Sequence, residues 1–187
     1  MDQRALIERA RRGEHDAFTA LIDVRLARLD AAARLILRDP ELARDAVQEA
    51  LIRAWRDLPG LRDPDRFDAW LHRLIVNACL DLIRRRKRRV IEVELSPLDT
   101  PSSHDVAGTL ADRQLLDQAL ARLEPGQRAV VALHYLLGMP LPDVARSLGI
   151  PVGTAKSRLH YALAAMRTHV TAEPDPSTAP LAGRQLA

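Results

Sequence analysis

Apolar residues in this chain recur at intervals of three and four, block after block, a period that specifies helices. The first stripe runs Phe18, Ile22, Leu26, Leu29, Ala33 and Ile36, which predicts one long helix with a core-facing side, closed by Asp39-Pro40. A second runs Ala43, Val47, Ala50 and Ala54 and breaks at Pro59-Gly60. A third starts after Asp63-Pro64-Asp65, buries Phe67, Trp70, Leu71, Leu74, Ala78 and Leu82, and is expected to dissolve into the basic run 84–89. Aromatics make up only 3% of the residues, while Ala, Leu and Arg abound, which favours helices over sheets. The expected fold class is all-α.

The stripe stops between Glu92 and Gly108, where EVELSPLDTPSSHDVAG is rich in Pro, Ser and acids and lacks helical spacing. Such a stretch buries too little apolar surface to order itself and reads as a linker. Helical spacing resumes at Leu115, Leu116, Ala119, Leu120 and Leu123, is punctuated by Glu124-Pro125-Gly126, and continues through Val130, Val131, Leu133 and Leu137. The last stretch, TAEPDPSTAPLAGRQLA, is polar and Pro-rich and reads as a disordered tail. The expected organisation is two small helical domains, 1–90 and 111–170, a flexible acidic linker, 91–110, and a tail, 171–187.

Charge follows the same division. Residues 1–90 hold 20 Lys or Arg against 15 Asp or Glu, a balance of +5; residues 91–110 hold four acids and no base, a balance of −4; residues 111–170 hold seven bases against four acids, a balance of +3. Two basic blocks on either side of an acidic strip suit two polyanion-binding modules, although a solvated helical surface produces sums of this size as well. Cys79 is the only cysteine, which rules out an intramolecular disulfide and any multi-Cys metal site and fits a reducing compartment. The N-terminus is charged throughout and no apolar run approaches the roughly 20 residues that span a bilayer. A cytoplasmic protein without membrane contact is expected.

The strongest local signal is LPDVARSLGIPVGTAKSRLH, residues 141–160. A short helix carrying Val144, Ala145 and Leu148 ends at Gly149, which can adopt the left-handed conformation, and Pro151 forbids simple continuation. A new helix, expected to start at Thr154, points Ala155, Leu159, Ala162 and Met166 inward. Lys156, Ser157, His160 and Tyr161 then face outward near its N-terminal end, where a recognition helix reads the major groove. A helical hairpin used only for packing is the plainer reading, and the outward cluster of donors argues against it.

On the third helix, Arg73, Asn77, Arg84 and Arg88 share a stripe opposite the apolar side. Phosphates would anchor to the cations, while an Asn can donate and accept at one base edge; an ordinary exposed amide is the plainer reading. The basic run 84–89 would fray its helix unless a polyanion neutralised it. The second helix presents Asp45, Gln48, Glu49, Ile52 and Arg56 outward. Ile52 is out of place there and hints at a protein contact, although one exposed apolar side chain is common.

In this order DAVQEALIRAW, FDAWLHRLIVNACLDLIRRRKRR and the helix-turn-helix ending GIPVGTAKSRL resemble the extracytoplasmic-function (ECF) sigma factors of the sigma-70 family, from about residue 13 to residue 170. The resemblance implies an RNA polymerase sigma factor. Its first domain, region 2, would bind the clamp coiled coil of the polymerase β′ subunit through Asp45, Gln48, Glu49, Ile52, Arg53 and Arg56. It would hold the opened −10 strand through Leu61, Arg62, Arg73, Asn77, Arg84, Arg85 and Arg88. The second, region 4, would set Thr154, Lys156, Ser157, Arg158, His160 and Tyr161 on the duplex −35 element, with Tyr161 departing from the family's usual Arg. The acidic linker would thread the polymerase's basic RNA channel, and the resemblance favours an anti-sigma partner.

A helix-turn-helix regulator acting on duplex DNA without polymerase is the competing reading. It needs one DNA module and a ligand or dimer domain, whereas here the first block is itself basic. An enzyme is the remote alternative: the chain carries no phosphate-cradling Gly loop, zinc-spaced His pair or nucleophile motif, and His72 and Cys79 lie two turns apart on one helix, too far for shared ligation. No cofactor and no metal are expected.

Overall fold

The computed structural model describes residues 2–92 and 110–172, so the expected linker and tail lie outside the described residues except where helix ends run into them. Eight α-helices are described: α1 (Gln3–Arg11), α2 (His15–Leu37), α3 (Pro40–Asp57), α4 (Phe67–Glu92), α5 (Leu110–Ala121), α6 (Pro125–Val131), α7 (Leu141–Leu148) and α8 (Val152–Ala172). No strand occurs among the described residues. The all-α expectation holds.

Helix boundaries follow the local chemistry. Asp39 caps α3 by accepting the backbone N–H of Glu41 (3.0 Å) and Leu42 (3.1 Å), and Pro40 sits in the first turn, where a missing N–H costs nothing. At α6 the backbone N–H of Glu124 donates to the Gln127 side chain at 2.9 Å. α7 ends at Gly149, whose φ of 65° is the left-handed conformation expected of it. α8 then starts at Val152, two residues before the expected Thr154.

Two expectations are corrected. The third predicted helix does not dissolve at the basic run: α4 continues through it to Glu92. Arginine is a good helix former, and Arg84 pairs with Asp81 (3.0 Å) while Arg86 reaches Asp39 (3.7 Å), so part of the repulsion is neutralised within the fold. Helix α1 was not anticipated. Asp2 accepts the Arg4 N–H at its start, and Leu6, Ile7 and Ala10 bury one side of it. Leu26 and Leu116 lie on predicted core stripes yet are exposed.

Within α1–α4 the core is built on Phe67, Leu71, Ile75, Val76 and Cys79 of α4, with Leu21, Leu29, Ile36 and the alanines of α3. The half-buried Arg25 takes the slot beside exposed Leu26. It donates to Asp68 (2.5 Å), to the Leu21 carbonyl (2.7 Å) and to Gln3 (2.6 Å), and lies 5.2 Å from the Phe67 ring centre. Within α5–α8 the core is Leu123, Val130, Leu133, Val144, Ala155, Leu159 and Ala162. The segment Ala132–Leu136 is a single wide turn in which the Leu137 N–H returns to the Ala132 carbonyl at 3.0 Å, a local bulge of the π type.

The two groups of helices are packed on each other, which the sequence did not suggest. α2 packs on α6 and the wide turn, and α4 on α7. Arg128 of α6 is buried and donates from Nε to the Ile36 carbonyl at 2.9 Å, across the boundary.

Burial pushes the Cys79 thiol up to about 12. A thiol this reluctant to ionise is a poor nucleophile. A thiol-reactive dye at pH 7 should therefore leave the folded chain unlabelled and modify one cysteine after denaturation; rapid labelling of the native chain would contradict this burial.

Candidate nucleic-acid interface

Three surfaces gather the residues singled out by sequence. On α3 the register that buries Ala43, Ala46, Val47, Ala50 and Ala54 turns Asp45, Gln48, Glu49, Ile52 and Arg56 outward. Ile52 is 55% exposed, a branched apolar side chain on a charged face. Arg53 is half-buried beside it, held by Glu49 at 2.8 Å and near Asp81 of α4 at 3.7 Å. Asp45, Glu49, Arg53 and Arg85 line one shallow groove between α3 and α4. Arg56 pairs with its neighbour Asp57 at 2.7 Å.

The second surface is the loop before α4 together with the outer side of α4. Arg73, Arg84, Arg85 and Arg88 are exposed and Asn77 is half-buried, so the mixed stripe forms as expected. No ion pair joins Arg62, Arg73, Arg85 or Arg88 to another described residue. Such free guanidinium groups suit phosphate contacts. Leu61 is different: it is 8% exposed, belongs to the core and lies at the base of the cleft that Arg62, Trp70 and Arg73 line.

Sequence reasoning missed how this loop is held. Asp63 caps the turn Pro64–Arg66 by accepting the Asp65 N–H at 3.0 Å. Asp65 in turn accepts both Nε (2.9 Å) and Nη2 of Arg4 on α1, a bidentate pair that holds its carboxyl below the usual range. The Asp-Pro-Asp spelling signalled the cap, but nothing local signalled the partner 61 residues away. Trp70, read as a core residue, is half-buried and faces the same cleft as Arg62 and Arg73.

The third surface is α8. Ala155, Leu159 and Ala162 are buried, Met166 is half-buried, and Lys156, Ser157, His160 and Tyr161 are exposed near the N-terminal end. The Ser157 hydroxyl donates to the Thr154 carbonyl at 3.1 Å, which ties both residues to the first turn. Arg158 turns inward: its guanidinium lies against Gly126, where an added Cβ would sit 3.0 Å from Nη1. It therefore braces α8 on α6 in this arrangement. Among the described residues, no group of three or more His, Cys, Asp or Glu is placed to hold a metal ion and no helix is long and apolar enough to cross a membrane.

The comparisons decide between the two DNA-binding readings. Residues 21–89 match the family described as Sigma-70 region 2, and residues 113–166 match Sigma-70, region 4. The chain belongs to the ECF sigma factors of the sigma-70 family. It is 37% identical over 155 residues to the RNA polymerase sigma-E factor of Streptomyces avermitilis, covering 83% of this chain and 86% of that one. It is 36% identical over 166 residues to the ECF RNA polymerase sigma factor SigL of Mycobacterium tuberculosis, covering 87% and 94%. Among solved structures it resembles the sigma factor RpoE bound to the anti-sigma factor NepR of Bartonella quintana, with a TM-score of 0.73, 25% identity and coverage of 84% of this chain and 98% of that one. CnrH bound to the cytosolic domain of CnrY gives a TM-score of 0.66 at 30% identity, covering 92% and 100%.

The sigma factor therefore carries its region 2 on α2–α4, with the basic stripe and the Ile52 face, and its region 4 on α5–α8, with the helix-turn-helix. As a sigma factor it is an initiation factor of transcription and not an enzyme.

Proposed function

We propose that this chain docks on core RNA polymerase through α3, captures the opened −10 strand with the loop before α4 and the outer stripe of α4, and sets α8 on the duplex −35 element. Region 2 would span 1–90 and region 4 111–170. The acidic linker 91–110 would run through the polymerase's basic RNA channel, and the tail 171–187 would follow region 4. The observation that carries the reading is the coexistence, on two small helical units, of an exposed apolar residue in a charged α3 face and two separate donor-rich surfaces. A regulator that works without polymerase has no use for the first of these. The −10 set is Arg62, Arg73, Asn77, Arg84, Arg85 and Arg88 with Leu61 beneath it; the −35 set is Thr154, Lys156, Ser157, His160 and Tyr161, with Arg158 bracing the helix. Polymerase and promoter DNA are the partners, an anti-sigma protein is a third, and the site of action is the cytoplasm.

The deciding experiment is the double change Gln48→Ala and Ile52→Asp. Both side chains are on the outer face of α3, so helical circular dichroism should survive while affinity for core polymerase falls at least tenfold. A change within about 0.5 kcal/mol, the size of a neutral surface substitution, would remove the α3 face from the reading.

The two roles on α4 separate as well. Asn77→Ala should relax base preference at one −10 position, since an amide reading a base edge contributes about 1 to 3 kcal/mol of discrimination. Arg88→Ala should weaken all sequences alike. A randomised −10 library read by permanganate footprinting distinguishes them, and identical profiles for wild type and the Asn77 variant would strike Asn77 from the readers.

A further inference from the structure

We infer that α1 is a positioning element for the proposed −10 loop: Gln3 and Arg4, neighbours in its first turn, clamp the two aspartates that flank Phe67 and so fix the loop against α4. This rests on the reading of the loop and α4 surface given above, and adds to it a helix that precedes the matched residues 21–89.

Arg4 donates from Nε (2.9 Å) and from Nη2 to the two carboxylate oxygens of Asp65 in the turn Pro64–Arg66. Gln3 acts through one intermediate. Its side-chain oxygen accepts Nη2 of Arg25 at 2.6 Å, and Arg25 Nε donates to Asp68 in the first turn of α4 at 2.5 Å. The α1 side of the clamp is firm: Leu6, Ile7 and Ala10 are buried where α1 packs on α2, and Arg9 holds Glu14 at 2.7 Å where the chain enters α2. The turn has only local support of its own. Asp63 accepts the Asp65 N–H on its side chain and the Arg66 N–H on its carbonyl (3.1 Å), and the Phe67 N–H returns to the Pro64 carbonyl. Leu61 and Phe67 bury the two ends of the loop. Between them, among the described residues, the ion pair with Arg4 is the one that joins the turn to another helix.

The charges fit a loop that receives a strand. Asp63 and Asp65 stand close in sequence to Arg62, Arg66 and Arg73, and an unpaired carboxylate there would repel a phosphate approaching those cations. Arg4 engages Asp65 and holds its carboxyl below the usual range, while Asp63 lies 3.4 Å from Arg66. Arg4 and Asp65 are both exposed, so their pair is screened by salt and adds little to folding. What it supplies is placement, because a bidentate guanidinium–carboxylate pair fixes orientation as well as distance. Charge and placement make opposite forecasts for one substitution. If Arg4 served only to cancel the Asp65 charge, Asp65→Arg would favour the strand. If Arg4 positions the turn, Asp65→Arg sets two guanidinium groups against each other and hinders capture.

The test compares the full chain as wild type, Arg4→Glu, Asp65→Arg and the double reversal, which restores the pair with its charges exchanged. In the free chain, amide hydrogen exchange of the peptide 61–67 should speed up at least about threefold in each single variant and return to the wild-type rate in the double. The peptide 74–82 inside α4 and the thermal midpoint should not change. With core polymerase, affinity should be the same throughout. Permanganate-detected opening per bound complex should fall about fivefold in both single variants, as when the held loop drops from nearly all to roughly a fifth of the population, and recover in the double. Should Arg4→Glu lower the thermal midpoint, Arg4→Gln takes its place, removing the attraction without adding repulsion, with a smaller loss in the same direction. Wild-type exchange in either single variant, a loosened loop with full opening, a gain of opening in Asp65→Arg, or a double variant as defective as the singles overturns the inference. A wild-type chain that binds core polymerase and leaves the −10 region closed would instead sink the reading of the loop itself.

Discussion

Leu159→Ala should destabilise region 4 by about 2 to 5 kcal/mol and abolish binding to a −35 duplex, whereas Lys156→Ala, three residues earlier, should leave the fold intact. Leu159 is buried where α8 packs on α6 and α7, so truncation leaves a cavity that the neighbouring helices fill only in part. Lys156 is fully on the outer side of the same helix. Removing it deletes at most one phosphate contact, which lowers the slope of log affinity against log salt by about one and weakens every sequence to a similar degree. Tyr161→Arg supplies an extra cation on that outer side and should tighten duplex binding, most clearly at low salt. Thermal unfolding followed at 222 nm, with duplex titrations at several salt concentrations, separates scaffold from contact. Equal melting for Leu159→Ala and wild type would mean that α8 is not seated as described; unchanged affinity and slope in both Lys156→Ala and Tyr161→Arg would mean that α8 does not read DNA.

The sequence disclosed the parts of this fold that repeat at helical spacing and carry punctuation. Asp39-Pro40, Glu124-Pro125-Gly126 and Gly149 each stop or start a helix through a local backbone requirement, so they were legible without tertiary knowledge. The outer face of α3 and of α8 followed from the same period, because fixing the buried alanines fixes what points away. α1 was hidden, since its apolar residues Leu6, Ile7 and Ala10 stand among arginines and acids. The stripe through α2 misassigned Leu26 because Arg25 takes the neighbouring slot, held by Gln3, Leu21 and Asp68, and nothing in a period reveals an arginine with buried acceptors. The end of α4 was misread for a related reason: like charges in sequence were taken to repel without relief, while Asp81 and Asp39 supply it in space.

The packing of region 4 on region 2 had no sequence signal at all. Linker composition argued for two independent units, and an interface made from one buried arginine, two carbonyls and the ends of several helices has no period to find. Family resemblance implied −10 and −35 sets that included Leu61 and Arg158. In the fold Leu61 belongs to the core and Arg158 lies against Gly126. A motif transfers residue identity by position; whether a side chain reaches a ligand depends on what packs beneath it.

Phe67→Ala should be the most damaging single change in region 2. Phe67 opens α4 directly after the loop, is fully buried, meets the Trp70 ring at 5.8 Å between centres and carries the Arg25 guanidinium on its face. Losing the ring costs about 3 to 5 kcal/mol for the cavity, a large share of the roughly 5 to 15 kcal/mol that holds a domain together. It also removes the aromatic face on which Arg25 rests, so Asp68 and Gln3 lose their fixed partner, and with them the first turn of α4 loses its position relative to α1. The loop from Leu61 to Arg66 is anchored at that turn on one side and through Asp65 to Arg4 on the other. Promoter opening should therefore fall further than polymerase affinity, because α3 retains its own packing while the loop proposed to capture the strand does not. Phe67→Leu, which keeps most of the volume, should lose roughly half or less of the stability and recover much of the opening. Urea unfolding and permanganate reactivity of the −10 region, measured on both variants, give the comparison. A Phe67→Ala protein as stable as wild type, or one whose polymerase affinity collapses while opening per bound complex is unchanged, would show that the base of α4 does not support the loop in this way.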